Sequence, residues 1–291
     1  MEQNMDVERS DTREWLSRCY CPVLLALSIQ FVAIYCTEEV RGQESQWPVQ
    51  RVVGPFHFHC DVDRGECEQY SVQLSQLRDD LQAALGVECK VDKIHLVILQ
   101  TESDYQRYIK HYFPQLPTRR ALYIQDRGPG IVFAFQHSET LIDLRHECTH
   151  ALLQDRFAKL PLWLDEGIAE YFENEPGTRE NHSVHLPIAI WQAKLGHVPP
   201  MEELELCLTP QQMDARKYSD AWAWVNFLLS HSDRSRHVFK SYLEEVSAWG
   251  AKAGSLSARV RESLPYARDA YLDHYLRIAV QRDSVRLSSA P

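Results

Sequence analysis

Basic residues are in short supply: 31 lysines and arginines stand against 41 aspartates and glutamates, a formal net charge of -10. A surface of that sign repels a phosphate backbone, which excludes general nucleic-acid binding. Glycine and proline number only 11 and 14 in 291 residues and recur with no period. That excludes collagen-like and low-complexity chains, and the lack of an internal repeat excludes a solenoid. Long apolar runs are missing except for one, so a multi-span membrane protein is excluded as well. The eight cysteines include no C-x-x-C pair, the spacing of a structural zinc site. What is present, 44% hydrophobic and 10% aromatic residues, suffices for the core of one large or two small domains.

The single apolar run is Cys19 to Cys36, CYCPVLLALSIQFVAIYC, without one charged residue. As a helix it spans roughly 27 Å, just short of the ~30 Å hydrocarbon core. Two readings of residues 1–36 stand side by side. A signal peptide has Val23 to Tyr35 as its apolar part and a cleavage site near Val40-Arg41-Gly42. An uncleaved anchor attaches the chain to a membrane through residues 19–36. Either reading predicts an exported protein, membrane-anchored or secreted or periplasmic. Beyond this leader, Cys60, Cys67, Cys89, Cys148 and Cys207 are an odd number for a secreted domain. Cys60 and Cys67 flank a turn-like DVDRGE and are suited to a bridge, as either is with Cys89. One bridge and several buried thiols are expected.

Residues 37–54 read as a linker, charged and then rich in Gly and Pro. In 55–280 a mixed pattern follows. Phe56, Phe58 and Cys60 alternate with His57 and His59 as in a half-buried strand. Val72, Leu74, Leu77, Leu81 and Leu85 keep near-helical spacing until Gly86. KIHLVILQ (93–100) is a strand, and Thr101 caps a helix that Pro114 ends. ALYIQ (121–125) and IVFAF (131–135) flank DRGPG, a hairpin signal. From Ser138 onward almost everything reads as helix, and 281–291 as a flexible tail. The expected fold is α+β: a small mixed sheet with N-terminal helices, then a mainly helical half.

That half opens with chemistry. His146-Glu147-Cys148-Thr149-His150 is an HExxH motif inside the helical stretch TLIDLRHECTHALLQDRF. Residues four apart share a helix face, so His146 and His150 can direct their imidazoles at one metal ion. Glu147, beside that face, is placed to take a proton from an attacking water. Cys148 points to the opposite side, into the core. After His150, the segment KLPLWLDEGIAEYFE (159–173) carries Glu166 and Glu170 four apart on a second helix, with fifteen residues between His150 and Glu166. A catalytic zinc site needs three protein donors and an open fourth position, and two histidines need a third donor from elsewhere.

HECTH followed by WLDEGIAEYFE resembles the gluzincin metallopeptidases, the thermolysin-like peptidase MA group. The resemblance implies one Zn²⁺ per chain held by His146, His150 and Glu166, with Glu147 as general base. It implies that Glu170 holds the first histidine ligand in its binding tautomer. It also implies a peptide or protein substrate, laid in extended form along the strand Ile131 to Phe135 as the sheet edge. The chain departs from the family at Asp165, where an asparagine commonly precedes the ligand glutamate, and in lacking a G-x-M-E-N segment, so an aminopeptidase is not supported. Glu173 and Glu175 read as solvated charge.

YSDAWAWVNFLL (218–229) resembles the helix that follows the ligand helix in many gluzincins, and Tyr218 is the candidate oxyanion donor, with His231 and His237 behind it. His57 and His59 share a strand face away from Cys60, and His182 and His185 lie in a loop, NHSVH; neither pair reads as a metal site. Two rivals accompany the peptidase reading: a silent gluzincin-like binding or scaffold module of the cell envelope, and a zinc hydrolase of a non-peptide amide.

Overall fold

The computed structural model describes residues 47–288, apart from 117, 126, 127, 155, 158 and 183. The expected leader, with its membrane-attachment run 19–36, and the first part of the expected linker lie outside the described residues. No helix among the described residues is long and apolar enough to cross a membrane.

The fold is α+β, a five-stranded mixed sheet followed by a helical half. Val49–Val53 (β1) pairs antiparallel with Phe56–Cys60 (β2) across Gly54, whose φ of 56° suits a residue without a Cβ. The strand β1 overturns the expectation of a linker to residue 54. Its row VQRVV alternates between exposed and half-buried, so it lacks the apolar continuity that marks an inner strand. Arg64–Leu85 (α1) starts where the Asp63 carboxylate accepts the Gly65 N–H at 2.7 Å and ends at left-handed Gly86. Ile94–Leu99 (β3) runs parallel to β2. Glu102–Tyr112 (α2) begins at Thr101, which accepts the Asp104 N–H. Ala121–Ile124 (β4) and Gly130–Phe135 (β5) form the expected antiparallel hairpin.

The strand order is β1-β2-β3-β5-β4. This corrects the placement of 131–135: β5 lies inside the sheet, parallel to β3, and the edge on that side is β4, as β1 is on the other. Phe56, Phe58, Cys60, Ile94, Leu96, Ile98, Val132 and Ala134 face α1 and the main core, as their period of two requires. Val97, Leu99, Phe133 and Phe135 face the other way, onto Tyr105 and Ile109 of α2. His57, His59 and His95 share this second side. His59 Nε2 lies 2.8 Å from His95 Nδ1, and burial pushes the His95 pKa down to about 4. The five cysteines beyond the leader are buried and free, so the expected bridge is not made. Cys60 of β2 and Cys67 in the first turn of α1 interact, and the Cys67 thiol together with burial pushes the Cys60 pKa up.

Thr140–Gln154 (α3) follows β5 directly, its first turn tied down where Thr140 donates to the Phe135 carbonyl and accepts the His137 N–H. Leu162–Phe172 (α4) is buried on nearly every side, the carboxylates of Glu166 and Glu170 included. His185–Lys194 (α5), Met201–Glu205 (α6), Ala215–Ser230 (α7), Asp233–Trp249 (α8), Leu256–Ser263 (α9) and Ala267–Ser288 (α10) complete the helical half. Helix α10 continues through most of the residues expected to fray from 281.

The Glu-Gly step of the second motif has a packing cause. A Cβ on Gly167 would stand 2.9 Å from the Ala221 carbonyl oxygen and 3.1 Å from Val225 Cγ2. Backbone therefore touches backbone where α4 crosses α7. In an open helix Gly→Ala stabilises by roughly 1 kcal/mol. Here the sign reverses: Gly167→Ala is expected to destabilise the fold by about 1–3 kcal/mol, as overpacking does. Urea unfolding of both proteins measures it, and a more stable variant would refute the close crossing.

Candidate metal centre

The site forms where α3 packs against α4. One helical turn separates His146 from His150, and their Nε2 atoms lie 3.2 Å apart. Glu166, one turn into α4, brings Oε2 to 3.7 Å from His146 Nε2 and 3.8 Å from His150 Nε2. A tetrahedral ion with bonds of about 2.0–2.2 Å holds its donors roughly 3.3–3.6 Å apart. The three donor atoms thus surround a space of metal-ion size, and these residues could hold a metal ion. Of the other sequence candidates, Glu170 on α4 comes within 4.8 Å of His146, while Glu147 on α3 turns to Tyr123 of β4.

Electrostatics support a cation at that point. Glu166 is wholly buried, and neither of its carboxylate oxygens accepts a hydrogen bond among the described residues. A buried carboxylate in that condition is costly unless it is neutralised or coordinates a metal. Burial accordingly raises the Glu166 pKa above the carboxylate range in the metal-free site. At His146 burial opposes the charged ring, yet the carboxylates of Glu166 and Glu173 outweigh it and hold the pKa well above the usual histidine range. The carboxylates thus favour positive charge at the point where the donor atoms converge.

Both histidines turn Nε2 to the centre and Nδ1 outward to a carboxylate. His150 Nδ1 donates to Asp165 Oδ2 at 2.9 Å, and His146 Nδ1 donates to Glu173 Oε2 at 3.2 Å. Such outer carboxylates fix the ring orientation and the tautomer. Asp165, the position that departs from the family pattern, thus meets a candidate ligand histidine. Glu173 is not solvated charge: its burial is outweighed by the rings of His146 and His182, and its pKa falls below the usual carboxylate range. Glu170 also stands within 4.8 Å of His146 and Glu173, and its Oε2 meets His185 Nε2 at 2.8 Å. A signal for Glu173 was present in the sequence, because Glu166, Glu170 and Glu173 follow the four-then-three spacing of one helix face.

Arg145 anchors this end of α4. Its buried guanidinium donates to the carbonyls of Phe172 and Asn174, both at 3.1 Å, closing the helix C-terminus beside Glu173. His182 and His185 are buried, which corrects their reading as a plain loop. Glu170, His182 and His185 form a second group with candidate donor atoms within 4.8 Å of one another.

Glu147 sits 7% exposed at the sheet edge, and its Oε2 accepts the Tyr123 N–H of β4 at 2.8 Å. Tyr218 is placed in the first turn of α7 with its side chain buried in the main core. His231 caps the far end of that helix, roughly 20 Å along its axis, against Arg277. His237 is exposed on α8. No family model matches the chain, and no curated protein matches it either.

Proposed function

We propose that this chain is a zinc-dependent peptide hydrolase of the gluzincin type, exported and either membrane-anchored or secreted. The observation that carries this reading is Glu166: a fully buried carboxylate, accepting no hydrogen bond among the described residues, facing two histidine Nε2 atoms at 3.7 and 3.8 Å. Two imidazoles and one carboxylate are the donor chemistry of a catalytic zinc with one position left open. When bound there, zinc lowers the pKa of a water to about 7 and polarises a carbonyl.

The chain's own residues supply the rest. Glu147 lies one residue from His146 and is held by the edge strand, so it takes the proton of the attacking water and delivers it to the leaving amine. The edge strand β4 offers a row of main-chain groups to which an extended peptide can pair. Because Tyr123 of that strand donates to Glu147, a peptide bound along β4 passes beside the base. Tyr218 stays the proposed oxyanion donor.

The test is metal removal. The purified full chain is expected to carry about one zinc per molecule by elemental analysis and to cleave members of a peptide library. Chelation should abolish cleavage, and stoichiometric zinc should restore it. A zinc-loaded protein silent on every peptide would support the scaffold reading, and cleavage restricted to non-peptide amides the other hydrolase. A folded wild type that takes up no zinc would overturn the reading.

A further inference from the structure

The buried group around His182 reads at first as a second metal site, since His182, His185 and Glu170 place candidate donors within 4.8 Å. The hydrogen positions argue otherwise. His182 stands just before α5, and its Nδ1 lies 3.2 Å from the main-chain N of both Val184 and His185. Those N–H groups belong to the open start of a ten-residue helix, where donors lack partners within the helix. A main-chain N–H can only donate, so Nδ1 must present its lone pair to them. The ring proton therefore sits on Nε2, which points at Glu173 Oε1 at 2.8 Å. One nitrogen of His182 is occupied as acceptor and the other as donor, which leaves no lone pair for a metal.

The same assignment continues inward. Glu173 accepts from His182 through Oε1 and from His146 through Oε2 at 3.2 Å. An acceptor-only carboxylate at that point requires the proton of His146 on Nδ1. Nε2 is then the ring nitrogen left for a metal, and it faces Glu166 and His150, where the candidate donors converge.

We propose that His182 is a positioning residue. The start of α5 sets the tautomer of His182, which fixes Glu173, which holds His146 in its metal-binding form. The chain of contacts runs from the Val184 and His185 N–H groups through His182 and Glu173 to His146, linking a helix start to a ligand on another element. The inference rests on the metal reading of the previous section, and it goes beyond that reading by giving the site a third layer from a loop.

Two substitutions divide the functions of the ring in the full chain. In His182→Asn the side-chain oxygen can stand where Nδ1 was and keep the α5 cap, but nothing reaches Glu173. In His182→Gln the amide nitrogen can stand where Nε2 was and keep donating to Glu173. Zinc affinity by chelator competition is expected to fall in His182→Asn by roughly 10-fold, the lower end of the roughly 10–100-fold seen on losing an outer partner. It should be largely retained in His182→Gln. With Co²⁺ in place of zinc, the visible spectrum should change in the Asn variant and stay near the wild type in the Gln variant. Histidine ¹⁵N spectra of the wild type should show His182 with Nε2 protonated and Nδ1 bare, with or without metal.

Equal zinc affinity in wild type, Asn and Gln variants would overturn the inference and leave the metal reading standing. A His182 protonated on Nδ1 alone would overturn it too, whatever the variants do. A wild type that takes up no zinc would overturn the metal reading first and this inference with it.

Discussion

Replacing Glu147 by Gln is expected to leave zinc bound and to lower peptide hydrolysis by about 100- to 10,000-fold, the range that positioned proton transfer contributes. The change is nearly isosteric, and its structural cost is small for a specific reason. This carboxylate accepts the Tyr123 N–H at 2.8 Å, and an amide oxygen can accept that bond equally well. None of the three converging donor atoms belongs to Glu147, so the metal should remain. What disappears is basicity, because an amide does not take a proton at neutral pH. Zinc content together with initial rates on a cleaved peptide checks both halves. Undiminished hydrolysis would remove Glu147 from the mechanism, whereas loss of zinc would show that the residue supports the site instead.

Glu166→Ala is expected to have the larger effect on the metal. It removes one of three donors outright, so zinc affinity should fall by more than the roughly 10–100-fold that an outer carboxylate controls. The loss is readable without catalysis. A ligand at 1,000 times its dissociation constant stabilises the folded state by about 4 kcal/mol. For a domain of this size that raises the melting temperature by roughly 8–16 °C, at about 2–4 °C per kcal/mol. The wild type should show such a shift on adding zinc and the variant almost none. The metal-free proteins provide an internal control. Wild-type Glu166 is buried with neither carboxylate oxygen accepting a hydrogen bond among the described residues, and truncating it removes that burden while opening a cavity. Metal-free Glu166→Ala should therefore melt close to the metal-free wild type. A zinc shift as large in the variant as in the wild type would sink the three-donor site.

Much of the local structure was legible along the chain. The caps at Thr101 and Gly86, the alternation in FHFHC and the 121–135 hairpin each follow from a signal within a few residues. So does the pairing of His146 with His150, since a helix alone sets the spacing of positions four apart. The nearness of Glu166 to that pair came with the resemblance, and the fold brings the three donor atoms to within 4 Å. Other features depended on contacts between elements, which a one-dimensional pattern does not carry. The edge strand is β4 because β5 pairs in parallel with β3, a choice made by two distant segments. Strand β1 is ordered by its ladder with β2, although VQRVV lacks an apolar run of its own. Asp165 and Glu173 became partners of the histidines because α4 lies against α3, with Arg145 closing its end. His182 has no periodicity to betray it, being a loop residue whose place is set by the start of α5.

Sequence alone therefore determined what lies within one helix or one hairpin: the α+β order, the HExxH face, and the acidic face of α4. Only the tertiary structure decided which carboxylate meets which imidazole, which strand is left at the edge, and that Glu166 is sealed from water. The physical reason is range. Periodicity and capping act over a few residues of one chain segment, whereas burial, tautomer and orientation are imposed by neighbours that are remote in sequence and a few ångströms away in space.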